Sequence, residues 1–168
     1  MHPTPPDTAS LETRPLALAI VACIAFAVVG SILAGPAGEM PADWYAGLEQ
    51  PTFAVPVWLF LTMGVVYYFL LGTTLYRVQA HIAGPSVRGR ALALTLAVMA
   101  INEVWNAVLF RMESLLAGVL GMIVFTGLLL WLWRILWEHE RTAFWVLAPL
   151  AIWTLYDLAW SVELWRLN

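Results

Sequence analysis

Five apolar runs, each about the length needed to cross a bilayer, dominate the chain: Leu16–Ala34, Val57–Val78, Ala91–Phe110, Leu115–Trp137 and Ala143–Trp165. A helix rises about 1.5 Å per residue, so roughly 20 apolar residues span the ~30 Å hydrocarbon layer. In lipid, backbone N–H and C=O groups must be satisfied within the protein, which leaves helices or closed barrels. None of the runs alternates with period two, so each is read as a helix. The expectation is an all-α membrane protein, a five-transmembrane-helix bundle. Composition agrees: 11% of the residues are charged, against about 25% in a soluble domain.

The first run is followed by the small residues Ala34-Gly35-Pro36-Ala37, as a secretory signal would be. It is longer than a signal core, and Arg14 alone is a poor basic leader, so it is read as a span. Residues 1–15, polar and proline-rich, are read as a disordered tail ahead of a domain covering 16–168. Several chemistries are excluded at this stage. Cys23 is the sole cysteine, so neither a disulfide framework nor a thiolate metal site is available. His2, His81 and His139 all fall in tails or loops, and no acid–base dyad is evident; no catalytic residue and no metal ligand are assigned. The eight positive charges are all arginine and scattered, with a net charge of −3, which argues against nucleic acid.

With five spans, the N-terminal tail and the loops at 79–90 and 138–142 share one side. That side collects Arg14, Arg77, Arg88, Arg90, Arg134 and Arg141. The other side holds only Arg111 and Arg166, and the 35–55 loop carries Glu39, Asp43 and Glu49 with no positive residue. The positive-inside rule therefore places the N-terminus inside, and the first loop and C-terminus outside.

That first loop is unusual. From Trp44 to Trp58 it is aromatic, polar and interrupted by Pro51 and Pro56. Proline fixes φ and removes a donor, so the segment is expected to keep a defined non-helical path until a helix starts near Pro56. Its aromatic residues suit a membrane interface, and the loop is read as a cover over the mouth of the bundle.

Polar groups also lie inside the spans. Asn102 and Asn106 share a face of the third span, with Trp105 beside them and Leu109 extending the stripe. Trp153, Asp157 and Trp160 share a face of the fifth. Carboxyl groups at this depth are costly and normally point into a bundle. No cation lies mid-span, so Glu103 and Asp157 are expected either to be held neutral or to bond to Asn102, Asn106 or an indole N–H. The bland alternative is interhelical glue. Of the ten tryptophans, Trp131, Trp133 and Trp137 read as an interfacial belt. Small residues at Ala93-xxx-Ala97 and Ala117-xxx-Gly121 would permit close helix approach.

In sum these residues resemble the TspO/MBR family, the tryptophan-rich sensory proteins that include the mitochondrial translocator protein (peripheral benzodiazepine receptor). The first-loop pattern W-Y-x-x-L-x-K-P-x-W-x-P-P is echoed by Trp44, Tyr45, Leu48, Pro51, Phe53 and Pro56, then Trp58 and Phe60. Tyr68 and Gly72 match further along the second span. Ile101, Asn102, Trp105, Leu109 and Phe110 resemble the third-span pattern, and Pro149, Trp153, Trp165, Arg166 and Asn168 the fifth. The chain departs from the pattern at Gln50 and Val55, at Gly64 in place of a tryptophan, at Trp160-Ser161, and at Asp157 in place of a small residue.

The resemblance implies a homodimeric five-helix bundle with a pocket under the first loop, binding a tetrapyrrole such as porphyrin or haem without an obligatory cofactor. The site residues carried over or read from the faces are Trp44, Trp58, Phe60, Asn102, Trp105, Asn106, Trp153, Asp157 and Trp160. A porphyrin is a wide π-face with propionates on one edge, which aromatic walls and a few polar groups suit. The apolar–Tyr–Arg/Lys spacing associated with cholesterol is not formed around Tyr156, so a steroid is not implied. The expected function is an integral membrane receptor or carrier. The alternatives are a non-catalytic subunit or assembly partner of a membrane complex, and a light-dependent porphyrin-degrading enzyme, which Gly64 disfavours.

Overall fold

Proline, glycine and one serine set where the helices begin. The structure, a computed structural model, describes residues 8–34 and 42–168. Pro56, extended at φ −60° and ψ 146°, precedes a long helix α3 (Val57–His81). Gly84 and Pro85 start α4 (Pro85–Asn106), where the missing proline N–H costs nothing. Ser114 caps α5 (Leu115–His139), its Oγ accepting from the Ala117 N–H. Glu140 alone separates α5 from α6 (Arg141–Leu167). Before these come α1 (Thr8–Ala34) and a short α2 (Ala42–Gly47), and α4 continues into a π-helical turn, Ala107–Arg111.

Five of these helices are long and apolar enough to cross a membrane: Thr13–Leu33, Val57–His81, Pro85–Arg111, Leu115–His139 and Arg141–Leu167. The protein is a five-helix membrane bundle. The helices outrun the apolar segments because a turn that faces water needs no apolar residues. Thus α1 begins at Thr8 rather than Leu16, corrects the tail expected at 8–15, and carries Pro15 inside it. Residues 1–7 of that tail, and Glu39 of the first loop, lie outside the described residues. The loop itself is not uniformly non-helical, since Trp44 and Tyr45 sit in α2.

Helices α3, α4, α5 and α6 form a ring, each packed on its two neighbours, and α1 lies outside it against α3 and α4. The ring is filled unevenly. Toward the α3–α4 and α5–α6 connections it is solid, with Leu71, Val78, Val98, Met99, Leu132, Leu136 and Leu147 fully buried. Toward the first loop the same four helices, with Ala27, Gly30 and Ser31 of α1, line a hollow.

Two glycines of α5 draw it against α4. A Cβ at Gly118 would come within 2.9 Å of the Leu109 side chain, and one at Gly121 equally close to Trp105. The close-approach pair is therefore Gly118 and Gly121, one step from the expected Ala117-xxx-Gly121, while Ala93 is exposed. The expected tryptophan belt also divides. Trp131 is exposed, and Trp137 carries the Arg141 guanidinium over its ring at 3.9 Å. Trp133 instead stacks on Phe144 at 4.5 Å and donates its indole N–H to the Phe144 carbonyl, fastening α5 to α6.

Candidate functional site

The hollow at the loop end is a cavity of about 590 Å³, within the usual size of small-molecule pockets. Its aromatic walls come from separate parts of the chain. Phe60 of α3 is central, with its ring centroid 5.4 Å from Trp153 and 5.3 Å from Trp160, both of α6. Tyr45 of α2 closes the loop side, 6.2 Å from Phe110 and 6.4 Å from Trp160. Trp105 stands edge-on to Phe110 and donates its N–H to the Gly118 carbonyl at 2.9 Å, so its polar edge is occupied while its ring faces the cavity.

Seven of the nine residues assigned from sequence lie on the cavity wall: Phe60, Asn102, Trp105, Asn106, Trp153, Asp157 and Trp160. Trp44 and Trp58 do not. Trp44 is half-buried against the core beside the cavity. Trp58 is 64% exposed on the outside of α3; two residues from Phe60 on a helix is about 200° of rotation, so the two cannot share a face. Leu109, expected to extend the third-span stripe, is buried against Gly118, and Phe110 takes the wall position. The π-helical turn is the reason, because its wider turn advances the side chains relative to an α-helix.

Three polar features mark the cavity. First, Glu103, 5% exposed, accepts from the Tyr68 hydroxyl at 2.7 Å and from Asn102 Nδ2 at 3.3 Å. Its other oxygen lies against Gly30 of α1, where no Cβ could fit. Neither Tyr68 nor Gly30 could be found from sequence as a partner of Glu103, because the contact joins three separate spans. Second, Asp157 has one buried carboxyl oxygen without a protein partner. Third, Trp160, 1% exposed, has an unpartnered indole N–H. Among the described residues no three His, Cys, Asp or Glu gather as metal ligands.

The loop is tied down at both ends of its path to α6. The Val55 N–H donates to the Tyr156 hydroxyl at 3.0 Å. The Asn168 side chain pairs with Glu49, accepting from its N–H at 2.9 Å and donating to its carbonyl at 3.1 Å. The Tyr45 hydroxyl donates to Gln50 at 3.2 Å, and burial, then the neighbouring Tyr156, pushes its pKa up, so it remains a neutral donor. Tyr156→Phe removes the Val55 partner and should raise amide exchange at Val55 about fivefold, the equivalent of ~1 kcal/mol. Unchanged exchange there would mean that the loop is held by its prolines alone.

One wall is thin. Leu61, Gly64 and Val65 line the cavity and are also exposed on the outside of α3, and a Cβ at Gly64 would meet nothing within 4 Å. The outer half of α1 is fastened to α4 and the π turn, through Gly30 against Glu103 and Arg111 Nη1 donating to the Leu33 carbonyl at 3.2 Å.

The sequence profile of the TspO/MBR family matches residues 19–166, which reaches into all five spans and covers every residue that lines the cavity. The chain belongs to the TspO/MBR family. Among its relatives, the tryptophan-rich sensory protein of Cereibacter sphaeroides is 31% identical over 152 residues, covering 89% of this chain and 88% of the relative. The tryptophan-rich protein TspO of Archaeoglobus fulgidus is 27% identical over 153 residues, covering 91% and 96%. That of Chlorobaculum tepidum is 30% identical over 122 residues, 72% of each chain. This TspO/MBR protein is an integral, multi-pass membrane protein.

Proposed function

We propose that this TspO/MBR protein is a membrane receptor or carrier whose cavity takes a flat hydrophobic molecule of the tetrapyrrole class. The N-terminus faces the inside, and the first loop and C-terminus face the outside. The observation that carries the reading is the hollow half of the bundle: about 590 Å³, roofed by the first loop and walled by Phe60, Trp105, Phe110, Trp153 and Trp160. A bundle with only a structural task has no reason to leave such a volume unfilled, since voids lose dispersion contacts and destabilise cores. The aromatic edges and faces suit a planar π-system, and the arginine bias supports the orientation.

The test is binding of protoporphyrin IX to the protein in lipid nanodiscs, followed by tryptophan fluorescence. Saturable quenching above that of protein-free discs is expected. Trp153→Ala should weaken it about tenfold, through lost ring contact and lost apolar burial. Trp58→Ala, on the outside of α3, should leave the affinity within about twofold, as a surface change does. Quenching equal to the lipid background, or equal loss in both variants, would remove the cavity as the binding site.

A further inference from the structure

We infer that the cavity selects a positively charged nitrogen: its preferred ligand is a flat hydrophobic amine or cationic heterocycle, seated with that nitrogen against Asp157. This rests on the receptor reading above and specifies its ligand chemistry. Among the described residues the cavity wall carries two acids, Glu103 and Asp157, and no arginine or histidine, and the chain has no lysine anywhere. The two arginines toward the loop end are engaged elsewhere. Arg111 donates to the Leu33 carbonyl at 3.2 Å, and Arg166 grips Glu163 at 2.6 Å and 2.8 Å.

The two acids are not equivalent. Glu103 is satisfied by Tyr68 and Asn102. Asp157 has a buried oxygen that no described residue meets, with Trp153 as its neighbouring donor. One helical turn away the Trp160 N–H, also buried, lacks an acceptor. An unpaired carboxyl in apolar surroundings is costly, and a cation is the occupant that turns this cost into attraction. The Phe60, Trp153 and Trp160 rings line the same cavity, and aromatic rings attract a cation. An anionic group placed there would face two carboxyl groups and, among the described residues, no cation on the cavity wall. By helix rise Asp157 lies about 15 Å below the end of α6 at Leu167, and Glu103 about 12 Å below Arg111. A porphyrin therefore fits only with its propionates up under the loop, whereas an amine fits with its charge inside.

Three isosteric probes test this at neutral pH in zwitterionic phosphatidylcholine nanodiscs, with protein-free discs subtracted: acridine (neutral), 9-aminoacridine (cationic) and acridine-9-carboxylate (anionic). The expected order is 9-aminoacridine tighter than acridine by about tenfold or more, with the carboxylate weakest. Asp157→Asn keeps the shape and should bring the three affinities within about threefold of one another while acridine itself still binds. Asp157→Glu should restore the preference for the cation. Binding of all three probes without order, or an order that survives in Asp157→Asn, overturns the charge preference and leaves the receptor reading standing. Failure of all three to bind the wild-type protein overturns this inference, and the receptor reading falls with it only where protoporphyrin IX also fails to bind.

Discussion

Arg77→Met destabilises the protein by about 3–5 kcal/mol, the largest effect expected of any single change at its ion pairs. Arg77 grips Glu140 with two nitrogens, Nη2 at 2.8 Å and Nε at 3.2 Å from the same oxygen. Glu140 is 7% exposed and is the entire link between α5 and α6, so its carboxylate has no easy route to water. Removing the arginine leaves that charge buried and alone, and it also frees α3 from the hinge. The double variant Arg77→Met/Glu140→Met should recover most of the loss, because two apolar groups leave nothing unsatisfied. Arg134→Ala provides the contrast. Its partner Glu138 is 2.6 Å away, but both side chains are largely exposed, and the expected cost is under about 1 kcal/mol. Denaturant unfolding in mild detergent reads all three. An Arg77→Met protein within about 0.5 kcal/mol of wild type would show that the pair is solvated and carries no structural weight.

The second large effect is at Gly30. A Cβ there would collide with Oε2 of Glu103, a side chain held in place through its other oxygen, Oε1, by the Tyr68 hydroxyl. Gly30→Val therefore either pushes α1 away from α4 or swings Glu103 out of its bond. Overpacking costs about 1–3 kcal/mol, and loss of a hydrogen bond to a charged or buried group about as much again. Because α1 buries little else, with Ala19 its principal core residue, it has few other contacts to hold it against that push. The expected result is lower unfolding stability together with easier proteolysis or cysteine labelling of α1. Combining Gly30→Val with Glu103→Ala should return most of the stability by vacating the space. A Gly30→Val protein with unaltered stability would mean that α1 does not seat on Glu103.

How much of this could be read in advance depended on the range of the signal. Five spans and their approximate limits follow from apolar runs, which are local. The face shared by Trp153, Asp157 and Trp160 follows from helical spacing, also local, and these residues do lie on one wall. Trp58 shows where motif matching fails, since adjacency in a pattern says nothing about which side of a helix faces inward. The partner of Glu103 was beyond reach for a different reason. Tyr68 is 35 residues away on another helix, and no period within one span encodes which spans will touch. The short α2 was hidden because its six residues are too few for periodicity to register. The bond of Trp133 to Phe144 was not legible because a tryptophan near a helix end looks the same whether its N–H meets water or a neighbouring carbonyl.

The turn at Ala107–Arg111 has a consequence for any comparison of related chains. One additional residue per wide turn amounts to a rotational offset of about 100° for everything that follows. Deleting a single position between Ala107 and Phe110 should revert the segment to ordinary winding with little change of phase, because three α residues turn about as far as four π residues, and should leave Phe110 beneath Tyr45 and Arg111 near the Leu33 carbonyl. A chain of equal length wound as an ordinary helix at this point would align without a gap and still present a different inner surface to its guest.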